Sequence, residues 1–155
     1  MKYPIICSLI LLLATHVFAL DSERKRQCTV QEAIRAEEQA STLKNWDEVY
    51  EAYRNFAHCD DGAISEGYSD SISRLLSEKW SSANRLIELT SRDGNFERFV
   101  LKHIDELMTP SQAVKIRENA ETKCPTHADS LCQAISRRLK EVDEAIKHSN
   151  QNKNR

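Results

Sequence analysis

The residues of this 155-residue chain that could do chemistry are five cysteines, five histidines and one dense run of carboxylates. The carboxylates are Asp60, Asp61, Glu66 and Asp70. Glu66 and Asp70 stand four positions apart, the spacing that places two side chains on one helix face, and a carboxyl pair is what a glycosidase uses as acid and base. That chemistry also needs a pocket and aromatic platforms for sugar rings. The plainer reading is negative charge complementing a helix N-terminus, with the remainder forming a solvated face. Its functional form is an acidic contact surface, Asp60, Asp61, Glu66 and Asp70 together, set against a basic cleft on a protein partner.

His103 falls within an apolar stripe, which predicts a buried, hydrogen-bonded core histidine. His58 adjoins Cys59 and His127 lies between Cys124 and Cys132; both are expected to be exposed at helix ends. A structural zinc site could draw on these groups, but such sites usually show CxxC-like clusters and the sequence has none, so no metal is expected. There is no Gly-rich phosphate loop, no nucleophile elbow and no HExxH. Arg137, Arg138 and Lys140 form a small basic run that reads as a solvated face. No catalytic residue, cofactor or enzymatic activity is expected.

The cysteines are better read through the compartment. Lys2 supplies a positive charge, Ile5 to Ala14 is apolar save for Ser8, and Val17 and Ala19 are small residues at the positions a signal peptidase reads. This order predicts a secretory leader over residues 1–19. The apolar run is too short for the roughly 20 residues of a membrane span, and His16 interrupts it. Cys7 lies inside the apolar run, away from the expected cut, which disfavours a lipoprotein. The expected product is a soluble protein of the periplasm, or one secreted further, with no membrane span after cleavage.

Cys28, Cys59, Cys124 and Cys132 then remain, an even number in an oxidising space, so two disulfides are expected and counting alone leaves three pairings. Thr29 and Glu32 form a capping box, so a helix starts directly after Cys28 and runs to about Thr42. Trp46, Val49, Tyr50, Tyr53 and Phe56 trace a second helix from near Asn45 to near His58. Two helices of similar length joined by a short link fold back antiparallel, which brings Cys28 beside Cys59. Such a bridge closes about 30 residues and stabilises by about 3–4 kcal/mol in the chain-entropy model. Cys124 and Cys132, eight positions apart, would pin the turn before the last helix, worth about 2–3 kcal/mol on the same basis.

The rest of the chain repeats the helical pattern. Asp60 or Asp61 caps a third helix through Ile64, Tyr68, Ile72, Leu75 and Leu76 to about Lys79, and Gly67 inside it suggests a close helix crossing. A fourth carries Trp80, Ala83, Leu86, Ile87 and Thr90, capped by Ser81 or Ser82 and halted at Asp93-Gly94. Asn95 opens a fifth, with Phe96, Phe99, Val100, His103, Ile104 and Leu107. Thr109, Pro110 and Gln112 start a sixth, and Leu131, Ile135, Leu139, Val142 and Ile146 form the seventh and longest. With three glycines, three prolines and no period-two alternation, a sandwich or barrel is excluded. The expectation is an all-α domain over residues 20–148, about seven amphipathic helices stacked as hairpins in an irregular bundle, followed by a flexible polar tail over 149–155. Composition is that of an ordinary globular domain, 40% hydrophobic and 30% charged, and a net charge of -2 gives no field suited to nucleic acid or an anionic membrane.

A leader, a small all-helical body and disulfides near helix ends resemble the periplasmic immunity proteins of type VI secretion systems, which protect a cell against peptidoglycan-cleaving amidases. The segment Tyr53 to Trp80, with Cys59, Ala63, Gly67, Ser69, Asp70 and Trp80, is the part most similar to them and spans about a fifth of the chain. The resemblance implies a non-catalytic, often dimeric protein that plugs an enzyme's groove with a protruding helix or loop; its partner would be a peptidoglycan hydrolase. Two rival functions fit the same sequence: a scaffold or helper of an envelope complex, and a small cell-wall hydrolase.

Overall fold

The computed structural model describes residues 26–153, so the expected leader lies outside the described residues. Within them the chain forms seven α-helices: α1 (Val30–Ala40), α2 (Trp46–Phe56), α3 (Gly62–Glu78), α4 (Ala83–Arg92), α5 (Gly94–Lys102), α6 (Pro110–Thr122) and α7 (Asp129–Lys153). Short 3-10 turns, Ala57–Cys59 and Trp80–Ser82, lead into α3 and α4, and no strand occurs among the described residues. None of these helices is long and apolar enough to cross a membrane.

Local chemistry sets the helix starts. Thr29 and Glu32 close the expected capping box on α1, and Thr109 and Gln112 close a second on α6, with Pro110 at its first turn. Asn45 caps α2 and Asp61 caps α3. At α5 the cap is Asp93, two positions before the expected start at Asn95, because its Oδ1 accepts from the backbone N–H groups of both Asn95 and Phe96. Ser82 sits at the start of α4 but donates to the Lys79 carbonyl at 2.7 Å, so a 3-10 turn rather than a side-chain cap begins that helix.

Three elements end differently from the periodic pattern. The first helix stops at Ala40 and the fifth at Lys102, so Ile104 and Leu107 lie beyond it. Asp105 competes for the backbone there, since its Oδ1 accepts from the N–H of Leu107 at 3.0 Å, and Leu107 is left exposed. The polar segment expected as a tail instead continues α7 as far as Lys153, with exposed side chains from Glu144 to Lys153. Gln, Lys and Asn interrupt no backbone hydrogen bond, so nothing in Ser149–Lys153 stops a helix already under way.

α3 runs through the centre, packed against α1 on one side and α6 on the other, while α7 packs on α6. Ile64, Tyr68, Ile72, Leu75 and Leu76 supply its apolar contacts. Small residues let the neighbours approach: an added Cβ on Gly67 would meet the Cβ of Ala40 at 2.7 Å, which is the close crossing the sequence suggested. Beside it the buried Ser71 hydroxyl donates to the Ala40 carbonyl at 2.7 Å, satisfying an acceptor at the end of α1. On the far side of α3, Asn119 donates to the Leu76 carbonyl at 3.0 Å and ties α6 to it. An aromatic group of Tyr50, Tyr53, Tyr68, Phe96 and Phe99 joins α2, α3 and α5, with neighbouring rings such as Tyr68 and Phe99 5.0 Å apart.

Both disulfides form as expected, Cys28–Cys59 and Cys124–Cys132. The first staples the open end of the α1–α2 hairpin, with Cα atoms 5.0 Å apart. The second pins the turn between α6 and α7, where His127 takes a left-handed backbone conformation with φ 66°.

Candidate functional site

The four expected contact carboxylates do not share one surface. Asp60 is withdrawn from it, with a side chain 7% exposed. Its Oδ1 accepts from His103 Nε2 at 3.0 Å and its Oδ2 from Lys102 Nζ at 2.6 Å. Burial works against its ionisation, but the hydrogen bonds from His103 and Lys102 outweigh it and hold the carboxyl at about 2. Asp61 is exposed and spends one oxygen on the N–H of Gly62 at 2.8 Å. Asp70 pairs with Arg74 at 2.8 Å along the same helix. Glu66 is exposed and, among the described residues, has no hydrogen bond or ion pair in the structure.

His103 is fully buried, as its place in an apolar stripe predicted. Its Nδ1 faces the Phe99 carbonyl at 2.8 Å, so with Nε2 on Asp60 both ring nitrogens meet an oxygen acceptor. The Ser65 hydroxyl lies 3.5 Å from that same Nε2. A serine, a histidine and an aspartate therefore meet here, but not as a catalytic relay. A relay places the nucleophile on one ring nitrogen and the carboxylate on the other; here both sit at Nε2, and the ring has no solvent-exposed surface.

One accessible feature is a groove of about 330 Å³ laid over the Cys28–Cys59 bridge. Thr29, Val30 and Ala33 of the first turns of α1 form one wall; Asp61, Gly62 and Ile64 at the start of α3 form the other. Gly62 makes the tight entry into α3 with φ 50°, a left-handed conformation that costs glycine little. Val30 is 70% exposed and Ile34, one turn further along α1, is 52% exposed. Asp61 is the expected contact residue that reaches this groove; the apolar pair beside it was missed, because Val30 and Ile34 fit the helical period equally well as core.

No family model, no curated protein and no solved structure matches the chain. The groove and its surroundings are therefore read from their own chemistry.

Behind the bridge lies a second polar cluster. Glu32 is buried at the base of α1, and its Oε2 accepts from the Thr29 backbone N–H at 3.0 Å and the Thr29 hydroxyl at 2.8 Å. The backbone and then the hydroxyl of Thr29 draw its carboxyl down to about 2, against the opposing effect of burial and with further help from His58 and Arg26. Arg26 donates to Oε1, and His58 Nε2 lies 3.4 Å from the same oxygen. His58 was expected at the surface, yet its side chain is 12% exposed, and its Nε2 is buried without a hydrogen-bond partner. The 3-10 turn Ala57–Cys59 causes this: it bends the chain after α2 and folds the ring under α1. His127 is exposed, as expected. One ring nitrogen of His58 and the sulfurs of Cys28 and Cys59 lie within 4.8 Å of one another, the donor types of a zinc centre. In the oxidised protein both sulfurs are committed to the S–S bond.

Proposed function

We propose that this chain is a non-catalytic, exported helical protein that binds a protein partner, and that the partner is a cell-wall-degrading enzyme held in check by it. The observation that carries the reading is the groove over Cys28–Cys59, lined on its α1 side by the exposed Val30, with Ile34 exposed one turn further along the helix. Exposed aliphatic side chains grouped beside a concavity favour association with another surface. A hairpin end closed by a disulfide is already ordered, so little conformational entropy remains to be lost on binding. Asp61 lines the groove and Glu66 is exposed further along α3, acidic groups suited to a basic cleft on the partner. Export to the periplasm supports the two bridges and is supported by them.

The test is inhibition. Purified protein is titrated into a peptidoglycan amidase, and release of soluble peptide is followed. The reading expects stoichiometric inhibition that Val30→Glu with Ile34→Glu abolishes, and that Asp61→Lys with Glu66→Lys weakens. Full inhibition by the Val30 and Ile34 double variant removes the groove from the interface. Digestion of peptidoglycan by the protein alone favours the hydrolase reading. Co-purification with envelope-assembly components and indifference to the amidase favours the scaffold.

A further inference from the structure

We propose that Cys28, Cys59 and His58 form a divalent-cation site of zinc type, which the disulfide closes and reduction opens. This inference is independent of the partner-binding reading. Three observations converge on it. Two sulfurs and one imidazole nitrogen already lie within 4.8 Å of one another, so the donors need shifts of about an ångström to reach zinc bonds near 2.0–2.3 Å. The His58 Nε2 is buried and makes no hydrogen bond, a costly state for a ring nitrogen that a ligand would relieve. Finally, a carboxylate stands beside the imidazole, with Glu32 Oε1 3.4 Å from His58 Nε2, so a cation held by that ring would meet a negative charge.

The surroundings favour the same arrangement. Thr29 holds Glu32 through Oε2, leaving Oε1 turned to His58, so a fixed carboxylate backs the histidine. Arg26, the other partner of Oε1, has a side chain 66% exposed and can swing into solvent. The Cα atoms of Cys28 and Cys59, 5.0 Å apart, allow two thiolates to separate by side-chain rotation without moving the helices.

The opening step is thiol–disulfide exchange with a dithiol. One thiolate of the dithiol attacks a sulfur of the bridge and forms a mixed disulfide, and its second thiolate resolves it. The dithiol leaves as its own disulfide, and Cys28 and Cys59 gain two electrons and two protons. The cation then displaces both thiol protons to water. Before oxidation, the newly made hairpin would be held by metal at the same place where the disulfide later holds it.

The purified protein is reduced with a water-soluble phosphine and given one equivalent of Zn²⁺; alkylation of each cysteine is then followed by peptide mass spectrometry. Cys28 and Cys59 are expected to be protected tenfold or more, while Cys124 and Cys132 react freely and serve as the internal control. Co²⁺ in place of Zn²⁺ should give a thiolate charge-transfer band and tetrahedral d–d absorption at one ion per chain, absent from the oxidised protein. His58→Ala should weaken Co²⁺ binding about tenfold or more. If reduction lowers the helix content, Zn²⁺ must restore it. Equal protection of all four cysteines, no protection, binding unchanged by His58→Ala, or failure of Zn²⁺ to restore lost helix each overturns the site.

Discussion

His103 Nε2 donates to Asp60 Oδ1 at 3.0 Å, joining the end of α5 to the link that precedes α3. The bond fixes a fully buried ring against a carboxylate that is itself almost buried, and Lys102 covers the second oxygen from the solvent side. Neither partner has an alternative in water, so the pair sets the relation of α5 to the stapled end of the hairpin. Its energetic weight lies less in the attraction than in what either group would suffer alone.

His103→Ala should therefore lower stability by about 3–5 kcal/mol, since it leaves the buried Asp60 Oδ1 without its donor and opens a void beside Tyr68 and Phe99. Lys102→Met removes a partner whose side chain is 55% exposed and should cost about 1 kcal/mol or less. Urea unfolding of both variants decides it. Equal losses would mean that the buried contact is no more demanding than the surface one.

The same carboxyl gives the fold an acid limit. Its folded value, about 2, lies below the ordinary 3.8, so the stabilisation is complete above pH 4 and disappears as pH falls from about 4 to about 2. The difference is worth roughly 2 kcal/mol. Asp60→Asn should flatten the stability profile across that window while leaving its shape above pH 5 unaltered. The check is a series of chemical denaturations from pH 2 to pH 7, and an unchanged acid slope in the variant would assign the loss to other carboxylates.

Gly67→Ala should destabilise although alanine is the better helix former. Inside a helix the exchange gains up to about 1 kcal/mol of propensity. Against this, the new methyl would stand 2.7 Å from the Ala40 Cβ and 3.0 Å from the Ser41 backbone nitrogen, and backbone cannot give way as a flexible side chain can. Forcing α1 and α3 apart also stretches the 2.7 Å bond from Ser71 to the Ala40 carbonyl. A net loss of about 1–2 kcal/mol is expected, read as a lower melting temperature. A melting temperature equal to or above the parent's would show that the crossing can relax.

The features legible in the sequence are those decided within a few residues or by topology. The two capping boxes depend on side chains three apart, and they place α1 and α6 to the residue. The Cys28–Cys59 pairing follows once two adjacent helices of 11 residues each are seen to fold back on one another. His103 showed its burial through its stripe but not its partner, because Asp60 lies 43 positions away and reads locally as a helix-capping acid. His58 was misplaced for a related reason: a single 3-10 turn decides whether the residue before Cys59 faces solvent or Glu32. Val30 and Ile34 carry the correct period for burial yet remain outside, since the other face of α1, through Ala36 and Ala40, is the one that meets α3. Periodicity identifies an apolar stripe but cannot say which of two stripes finds a partner.

The two disulfides should differ in weight, and in the order that loop length sets. Cys28–Cys59 closes 31 positions and Cys124–Cys132 closes 8. In the chain-entropy model the first limits the unfolded chain more, by about 1 kcal/mol, so Cys28→Ser with Cys59→Ser should lower stability by about 4 kcal/mol and Cys124→Ser with Cys132→Ser by about 3 kcal/mol. The native state points in the same direction. Cys28 precedes the Thr29 cap and its bridge anchors the first turn of α1, whereas Cys132 is held in α7 by its own N–H bond to the Ala128 carbonyl at 3.0 Å. Loss of the longer bridge should also expose the backbone around Thr29 to hydrogen exchange and slacken one wall of the groove, so partner binding falls with it. Loss of the shorter bridge should leave that region protected. Denaturation midpoints together with exchange rates at Val30 and Ala33 separate these outcomes, and a larger loss from the Cys124 and Cys132 variant would place the mechanical anchor of the fold at the α6–α7 turn instead.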